Sequence, residues 1–143
     1  MEQPRHQPIT PYLTVRGAAD AIVLYSKAFG AIENTRLPAQ DGKRLMHAEL
    51  AINGGIVMLS DEFPEFSEHC ALAPSPERPA GVAVSITYGA PAEVDATFRR
   101  AVDAGCKSTL EPQDMFFGMR SATLDDPLGH RWLLAAPLPQ ANP

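Results

Sequence analysis

Hydrophobic and polar residues alternate in short runs typical of β-strands, and two longer segments have helical spacing instead. Residues 9–15 are apolar at alternate positions, which predicts a strand. Ala18–Phe29 has apolar residues three or four positions apart and stops before Gly30, as expected for a helix that ends at a glycine. Turn signals at 41–42 and 53–55 then separate three further predicted strands, at 31–37, 44–52 and 56–60.

The second half of the chain repeats this order about seventy residues later. A strand at 82–88 precedes a helix that begins at Pro91 and ends before Gly105. The last three strands are predicted at 107–111, 118–124 and 130–136. The intervening residues 61–80 contain four prolines and no periodicity, which indicates a linker that crosses the surface.

Two copies of a βαβββ unit therefore account for nearly the whole chain, as a single domain over 1–143. Module one spans 9–60, the linker 61–80 and module two 81–136. Each unit buries one face of its sheet under its helix and leaves the other face open until a second unit covers it. The predicted fold class is α+β, with two modules whose curved mixed sheets surround a cleft. Such a cleft is the default place for a ligand.

Charge and composition exclude several classes of protein. The net charge is −5, from 12 basic and 17 acidic residues, and no basic stripe is present that would bind nucleic acid. The longest uncharged run, 79–92, is too short and too polar to cross a bilayer. The N-terminal segment lacks the apolar core of a signal peptide, so we expect a cytoplasmic protein. Cys70 and Cys106 form no CxxC motif and are expected to be free thiols.

Five stretches carry a resemblance to a known superfamily: PYLTV at 11–15, LYSKAFGA at 24–31, MHAELAING at 46–54, VMLSDE at 57–62 and DMFFGMRSATLDDPLGHRW at 114–132. Over residues 9–136 the chain resembles the vicinal oxygen chelate superfamily of glyoxalases, extradiol dioxygenases and bleomycin-resistance proteins, and within it the PhnB-like branch. The resemblance implies paired βαβββ modules in a homodimer, whose modules often complete the pocket across the dimer interface.

Metal-dependent members of this superfamily carry a ligand on the first and fourth strand of each module. The resemblance puts these four positions at Thr10, Met58, Gly81 and Leu133. None of them supplies the nitrogen or oxygen donors that bind a divalent transition metal well. The sequence therefore predicts no metal cofactor, and a divalent metal is the less favoured alternative.

His47 and Glu49 are the candidate catalytic residues. They lie two positions apart on a predicted strand, so both side chains face the cleft, while Met46 and Ala48 are expected to pack under the helix. Four roles are open for the pair. The first is a proton acceptor in which the carboxylate orients the histidine, and the second is a site that holds a ligand by hydrogen bonds. The third is part of a non-standard metal site, and the fourth is a solvated polar face.

Strand parity adds further candidate ligand-binding residues to the cleft. Tyr12, Met58 and Ser60 join His47 and Glu49 on module one, and Arg131 faces the cleft from module two. A mixed surface of this kind, apolar with a few polar anchors, suits a small organic molecule.

Segment 114–118 is predicted to form a rim of the cleft. Phe117 within it either stacks on a planar ligand or packs under the helix. Arg120 either meets an anionic ligand or is a solvated or interface charge. His130 follows a turn at 126–129 and shares the helix-packed face with Trp132, which predicts a structural role.

Three hypotheses for the function remain at this point. The first is a metal-free PhnB-like protein that binds an unidentified small molecule without converting it. The second is a metal-dependent lyase, isomerase or dioxygenase of the same superfamily, or an enzyme that uses His47 as a base. The third is a structural or partner-binding domain whose cleft is filled by its own side chains.

Overall fold

The computed structural model describes residues 7–140 and contains two βαβββ modules, which confirms the predicted fold class. Module one consists of β1 (Tyr12–Val15), α1 (Ala18–Phe29), β2 (Ile32–Pro38), β3 (Leu45–Ile52) and β4 (Gly55–Asp61). A single 3-10 turn follows at Pro64–Phe66. Module two consists of β5 (Ala83–Thr87), α2 (Pro91–Asp103), β6 (Lys107–Asp114), β7 (Met119–Asp125) and β8 (Arg131–Pro137).

Each module forms its own four-stranded mixed sheet. The strand orders are β1-β4-β3-β2 and β5-β8-β7-β6. β1 lies parallel to β4 and β5 parallel to β8, whereas the other neighbours are antiparallel. β1 and β5 each pair in parallel with the last strand of their own module, because the helix and two strands between them provide the long connection that a parallel pair requires.

The two helices pack against each other and against one face of each sheet. Burial alternates along the strands, so that β5 and β8 bury every second residue on the helix side and expose the residues between them. Trp132 is fully buried on β8, and its ring centroid lies 4.4 Å from that of Phe29 and 5.1 Å from that of Tyr25. A single cluster of buried residues therefore joins the two modules.

Asp126 connects several of these buried groups. Its Oδ2 accepts hydrogen bonds from the Tyr25 hydroxyl at 2.7 Å and from Trp132 Nε1 at 2.9 Å. Its Oδ1 accepts the backbone N–H groups of Leu128 and His130. The carboxylate is 3% exposed, and these four donors replace the water that it loses on burial.

His130 is also buried, in agreement with the structural role predicted for it. Its Nε2 lies 2.9 Å from the carbonyl oxygen of Thr14, so the ring links the start of β8 to β1. Asp61 at the end of β4 links the starts of α1 and β3, because its carboxylate accepts hydrogen bonds from the backbone N–H groups of Gly17, Ala18 and Leu45.

The expectation that Met46 packs under the helix is wrong. Leu45 is 5% exposed and Met46 is 51% exposed, so their sides are the reverse of the predicted alternation. The register explains this result: Leu37 pairs with His47 but Pro38 pairs with Leu45, which marks a β-bulge at this end of β3. A bulge inserts one residue and changes the direction of the side chains beyond it.

Within the described residues, neither α1 nor α2 has the length and apolar character that a membrane-spanning helix requires.

Candidate functional site

A cavity of about 900 Å³ opens on the face of the first sheet that is turned away from the helices. All of its lining residues come from module one and the linker: Tyr12, Thr14, Ala39, Gln40, Asp41, Arg44, Met46, Ser60, Phe63, Phe66, His69, Cys70 and Ala71. We call it the module-one cavity.

Strand register places the floor of this cavity. On adjacent strands Tyr12 pairs with Met58 and Thr14 pairs with Ser60, so Tyr12, Thr14 and Ser60 project from the open face close together. The bulge in β3 turns Met46 to the same side, where it lines the cavity. The β2–β3 loop and the linker then rise from this floor as walls.

Aromatic rings from the linker form one wall. The 3-10 turn puts the ring centroids of Phe63 and Phe66 6.5 Å apart, and the His69 ring lies 6.0 Å from Phe66. Phe66 is 50% exposed. These residues were not predicted, because the proline-rich segment has no periodicity, although two phenylalanines three positions apart beside Pro64 are a signal for a turn that brings two rings together.

Arg44 joins the loop wall to the linker wall. Its Nε donates to Asp41 at 2.7 Å, and its two terminal nitrogens donate to the Glu65 carboxylate at 3.0 and 2.7 Å. A further hydrogen bond reaches the backbone oxygen of Glu62 at 3.4 Å. The guanidinium carbon lies 4.2 Å from the centroid of the Phe63 ring, within the range of a cation–π contact.

The two carboxylates in this contact are strongly acidic. Hydrogen bonds from the backbone N–H groups of Arg44 and Lys43, then from the Arg44 side chain, lower the pKa of Asp41 to about 2. Hydrogen bonds from Arg44 lower the pKa of Glu65 to about 2. Both groups are therefore ionised at neutral pH, and the positive charge of Arg44 faces two negative charges.

Tyr12 and His47 form a hydrogen-bonded pair at the base of the cavity. Tyr12 Oη lies 2.7 Å from His47 Nδ1. Burial raises the pKa of Tyr12 above its ordinary value of 10.0, an effect that the nearby Ser60 hydroxyl partly offsets, so the phenol is neutral at physiological pH. His47 does not line the cavity itself, and it meets the lining through this hydrogen bond to Tyr12.

The remaining predicted site residues of module one lie outside the cavity lining. Glu49 sits beside Met58 on the open face, and its carboxylate accepts a hydrogen bond from Asn34 at 3.3 Å. Of the eight predicted ligand-binding residues, the structure brings Tyr12 and Ser60 into the cavity and His47 next to it.

The three predicted residues of module two are engaged elsewhere. Phe117 is 56% exposed on the β6–β7 hairpin, and Arg131 binds Asp125 at 2.7 Å. Arg120 lies between β7 and α2 and donates to Asp95 and Asp114. None of these three residues lines the module-one cavity, and their binding roles stay predictions.

The residues at the four metal-ligand positions implied by the resemblance do not fit a divalent transition metal. The Thr10 hydroxyl donates to the backbone oxygen of Gln7 at 3.1 Å, Gly81 has no side chain, and Met58 and Leu133 carry no nitrogen or oxygen donor. Among residues 7–140 no group of three or more His, Cys, Asp or Glu side chains is arranged to hold a metal ion.

Comparison with known families agrees with the observed fold. The sequence profile of the glyoxalase/bleomycin resistance protein/dioxygenase superfamily matches residues 7–134, and the chain therefore belongs to this superfamily. The uncharacterized protein Mb0911c of Mycobacterium bovis is 39% identical over 134 residues, which cover 94% of this chain and 86% of that protein.

Solved structures share the same fold. Hypothetical protein SA1046 from Staphylococcus aureus superposes with a TM-score of 0.69 at 24% identity and covers 94% of this chain and 96% of its own. A PhnB protein from Bacillus cereus superposes with a TM-score of 0.67 at 19% identity, covering 91% and 99% of the two chains. At these identities the likeness is one of fold.

Proposed function

We propose that this protein is a PhnB-like member of the superfamily that binds a small, largely apolar organic molecule in the module-one cavity without a metal ion. The observation that carries the proposal is the cavity itself. Its volume of about 900 Å³ lies within the range of small-molecule sites, and apolar side chains form most of its walls. The hydroxyl groups of Tyr12 and Ser60 supply the few polar anchors that orient a ligand.

Two observations favour binding over the alternatives. A site of this kind works by shape and stacking, and it needs no Lewis acid at the positions held by Met58 and Leu133. The open cavity and the half-exposed ring of Phe66 also argue against a domain whose cleft is filled by its own side chains.

The proposal includes a homodimer. The outer faces of both sheets carry large side chains, such as Tyr12 and Met58 on the first and Leu133 on the second. Among residues 7–140 no strand of one sheet pairs with a strand of the other, and a second copy can cover both outer faces.

Leu133→Asp on the outer face is expected to yield monomers in light scattering, and Val23→Asp on the outside of α1 serves as the matched control. A monomeric wild-type protein contradicts this part.

A cytoplasmic location is also part of the proposal. Cys70 and Cys106 are both free thiols, as is usual where glutathione and thioredoxin keep cysteines reduced. Recovery of the protein with the cytoplasmic fraction of its cells is the expected result.

Prodan, an uncharged naphthalene dye whose emission shifts to the blue in apolar surroundings, tests the binding function. We expect saturable binding to the full chain, with affinity reduced on the order of tenfold by Phe66→Ala because a stacking partner is lost. Phe116→Ala is the matched control, since that ring is 98% exposed and lies outside the cavity. Absence of a blue shift, or equal affinity in the two variants, contradicts the proposal.

A further inference from the structure

The module-one cavity has a defined charge balance that limits what it accepts. Of the lining side chains that the structure describes, Arg44 is the sole lysine or arginine. It makes four hydrogen bonds, three of them to the carboxylates of Asp41 and Glu65. A guanidinium group has five N–H donors, so this arginine has little hydrogen-bonding capacity left for an incoming anion.

Arg44 and its two carboxylate partners together carry a net negative charge. Asp41 and Glu65 both have a pKa of about 2 and carry full negative charges at neutral pH, against the one positive charge between them. Asp41 lines the cavity directly. An anionic ligand therefore meets an unfavourable potential, and its carboxylate or phosphate has to displace an existing bidentate ion pair to reach the arginine.

The aromatic wall supplies the attraction that the charges do not. Phe63 already carries the Arg44 guanidinium on its face, whereas Phe66 is half exposed and faces the cavity beside the His69 ring. Tyr12 is a neutral phenol that shares its hydrogen bond with His47. These groups recognise a flat apolar ring that carries an uncharged polar group.

We propose that the module-one cavity selects uncharged planar aromatic molecules and discriminates against anionic molecules of the same shape, because Asp41 and Glu65 occupy Arg44. This inference rests on the proposed binding function, and it adds the charge class of the ligand.

Isothermal titration of the full chain with 2-naphthamide and 2-naphthoate at pH 7 tests the charge preference, since the two probes share a shape and differ by one negative charge. We expect the amide to bind at least about fivefold more tightly, the ratio that corresponds to a single unfavourable charge contact in water. Equal or tighter binding of 2-naphthoate overturns the inference and leaves the prodan result, and thus the proposed function, standing. If neither naphthalene nor prodan binds, both are overturned.

The double variant Asp41→Asn with Glu65→Gln tests the assigned cause. It leaves Arg44 without anionic partners, so 2-naphthoate is expected to gain at least about fivefold in affinity relative to 2-naphthamide. Glu33→Gln is the matched control, because it frees Arg36, an arginine bound to a carboxylate at 3.0 Å outside the cavity. An unchanged ratio in the double variant, or the same change in the control, overturns the assignment. Circular dichroism of each variant checks that the fold is kept.

Discussion

Replacement of Asp126 by asparagine is expected to lower the free energy of unfolding by about 4 kcal/mol. The side chain keeps its size, but one of its two oxygens becomes an NH₂ group that cannot accept a hydrogen bond. One oxygen now accepts the Tyr25 hydroxyl and Trp132 Nε1, and the other accepts two backbone N–H groups. Whichever way the amide turns, two donors that are buried or partly buried lose their acceptor, at about 1–3 kcal/mol each.

Urea denaturation followed by the fluorescence of Trp132 measures this change directly, because Trp132 is the only tryptophan and itself contacts Asp126. With a slope of about 2 kcal/mol per molar urea, the midpoint is expected to fall by about 2 M at fixed protein concentration. The neighbouring residue supplies the control. Asp125→Asn removes a carboxylate that binds Arg131 at the surface, where ion pairs contribute little, and should shift the midpoint far less.

A shift of less than about 0.5 M for Asp126→Asn, which corresponds to about 1 kcal/mol, contradicts the expected loss of two hydrogen bonds. A shift equal to that of Asp125→Asn contradicts it as well, because Asp126 is buried with four donors whereas Asp125 pairs with Arg131 at the surface. The fully buried Tyr25 hydroxyl would then have another acceptor.

Three further predictions concern thiols, alkaline pH and glycine. At pH 8 a disulfide reagent should modify Cys70 at the cavity and spare Cys106, because burial, followed by the charge of Asp126, raises the pKa of the Cys106 thiol to about 12; equal rates would contradict this. That pKa lies above the unfolded value of 9.0, so the contribution of Cys106 to stability is complete below pH 9 and is lost as pH rises toward 12. Cys106→Ala should remove this part of the stability loss from unfolding curves measured at alkaline pH. Gly129→Ala should lower the melting temperature more than Gly118→Ala. Both glycines have a positive φ, but of the two only Gly129 would place a Cβ against backbone, 2.6 Å from the nitrogen of Ser75. Equal melting temperatures would show that this contact relaxes freely.

The sequence predicted the elements well because their signals are local. The helix at Ala18–Phe29 begins after Gly17 and ends at Gly30, both with positive φ, and its predicted bounds are those of the structure. The repeat likewise predicted two βαβββ modules, and the structure contains both of them. The strand order β1-β4-β3-β2 comes from the structure alone. The prediction for Met46 was wrong because a bulge depends on how β2 and β3 pair, and the sequence of a single strand does not show that pairing.

The site was less predictable because half of its wall is not regular structure. Phe66 and His69 reach the cavity through a 3-10 turn and the following residues, and hydrophobic periodicity gives no information about such a segment. Arg44 gained its position from tertiary contacts with Glu65, which lies 21 residues later. Strand parity, in contrast, identified Tyr12 and Ser60 because both lie within regular strands.

The separation of the buried core from the cavity gives the fold considerable freedom to diversify. The residues that hold the protein together face the two helices, whereas Met46, Phe66 and Ala71 contact the cavity from the opposite side or from the linker. A combinatorial library at these three positions should therefore change which guest molecules are accepted while leaving the melting temperature nearly constant. If the cavity binds ligands as proposed, the same scaffold can acquire a new specificity in few mutational steps, because the side chains at these three positions are separate from the buried core.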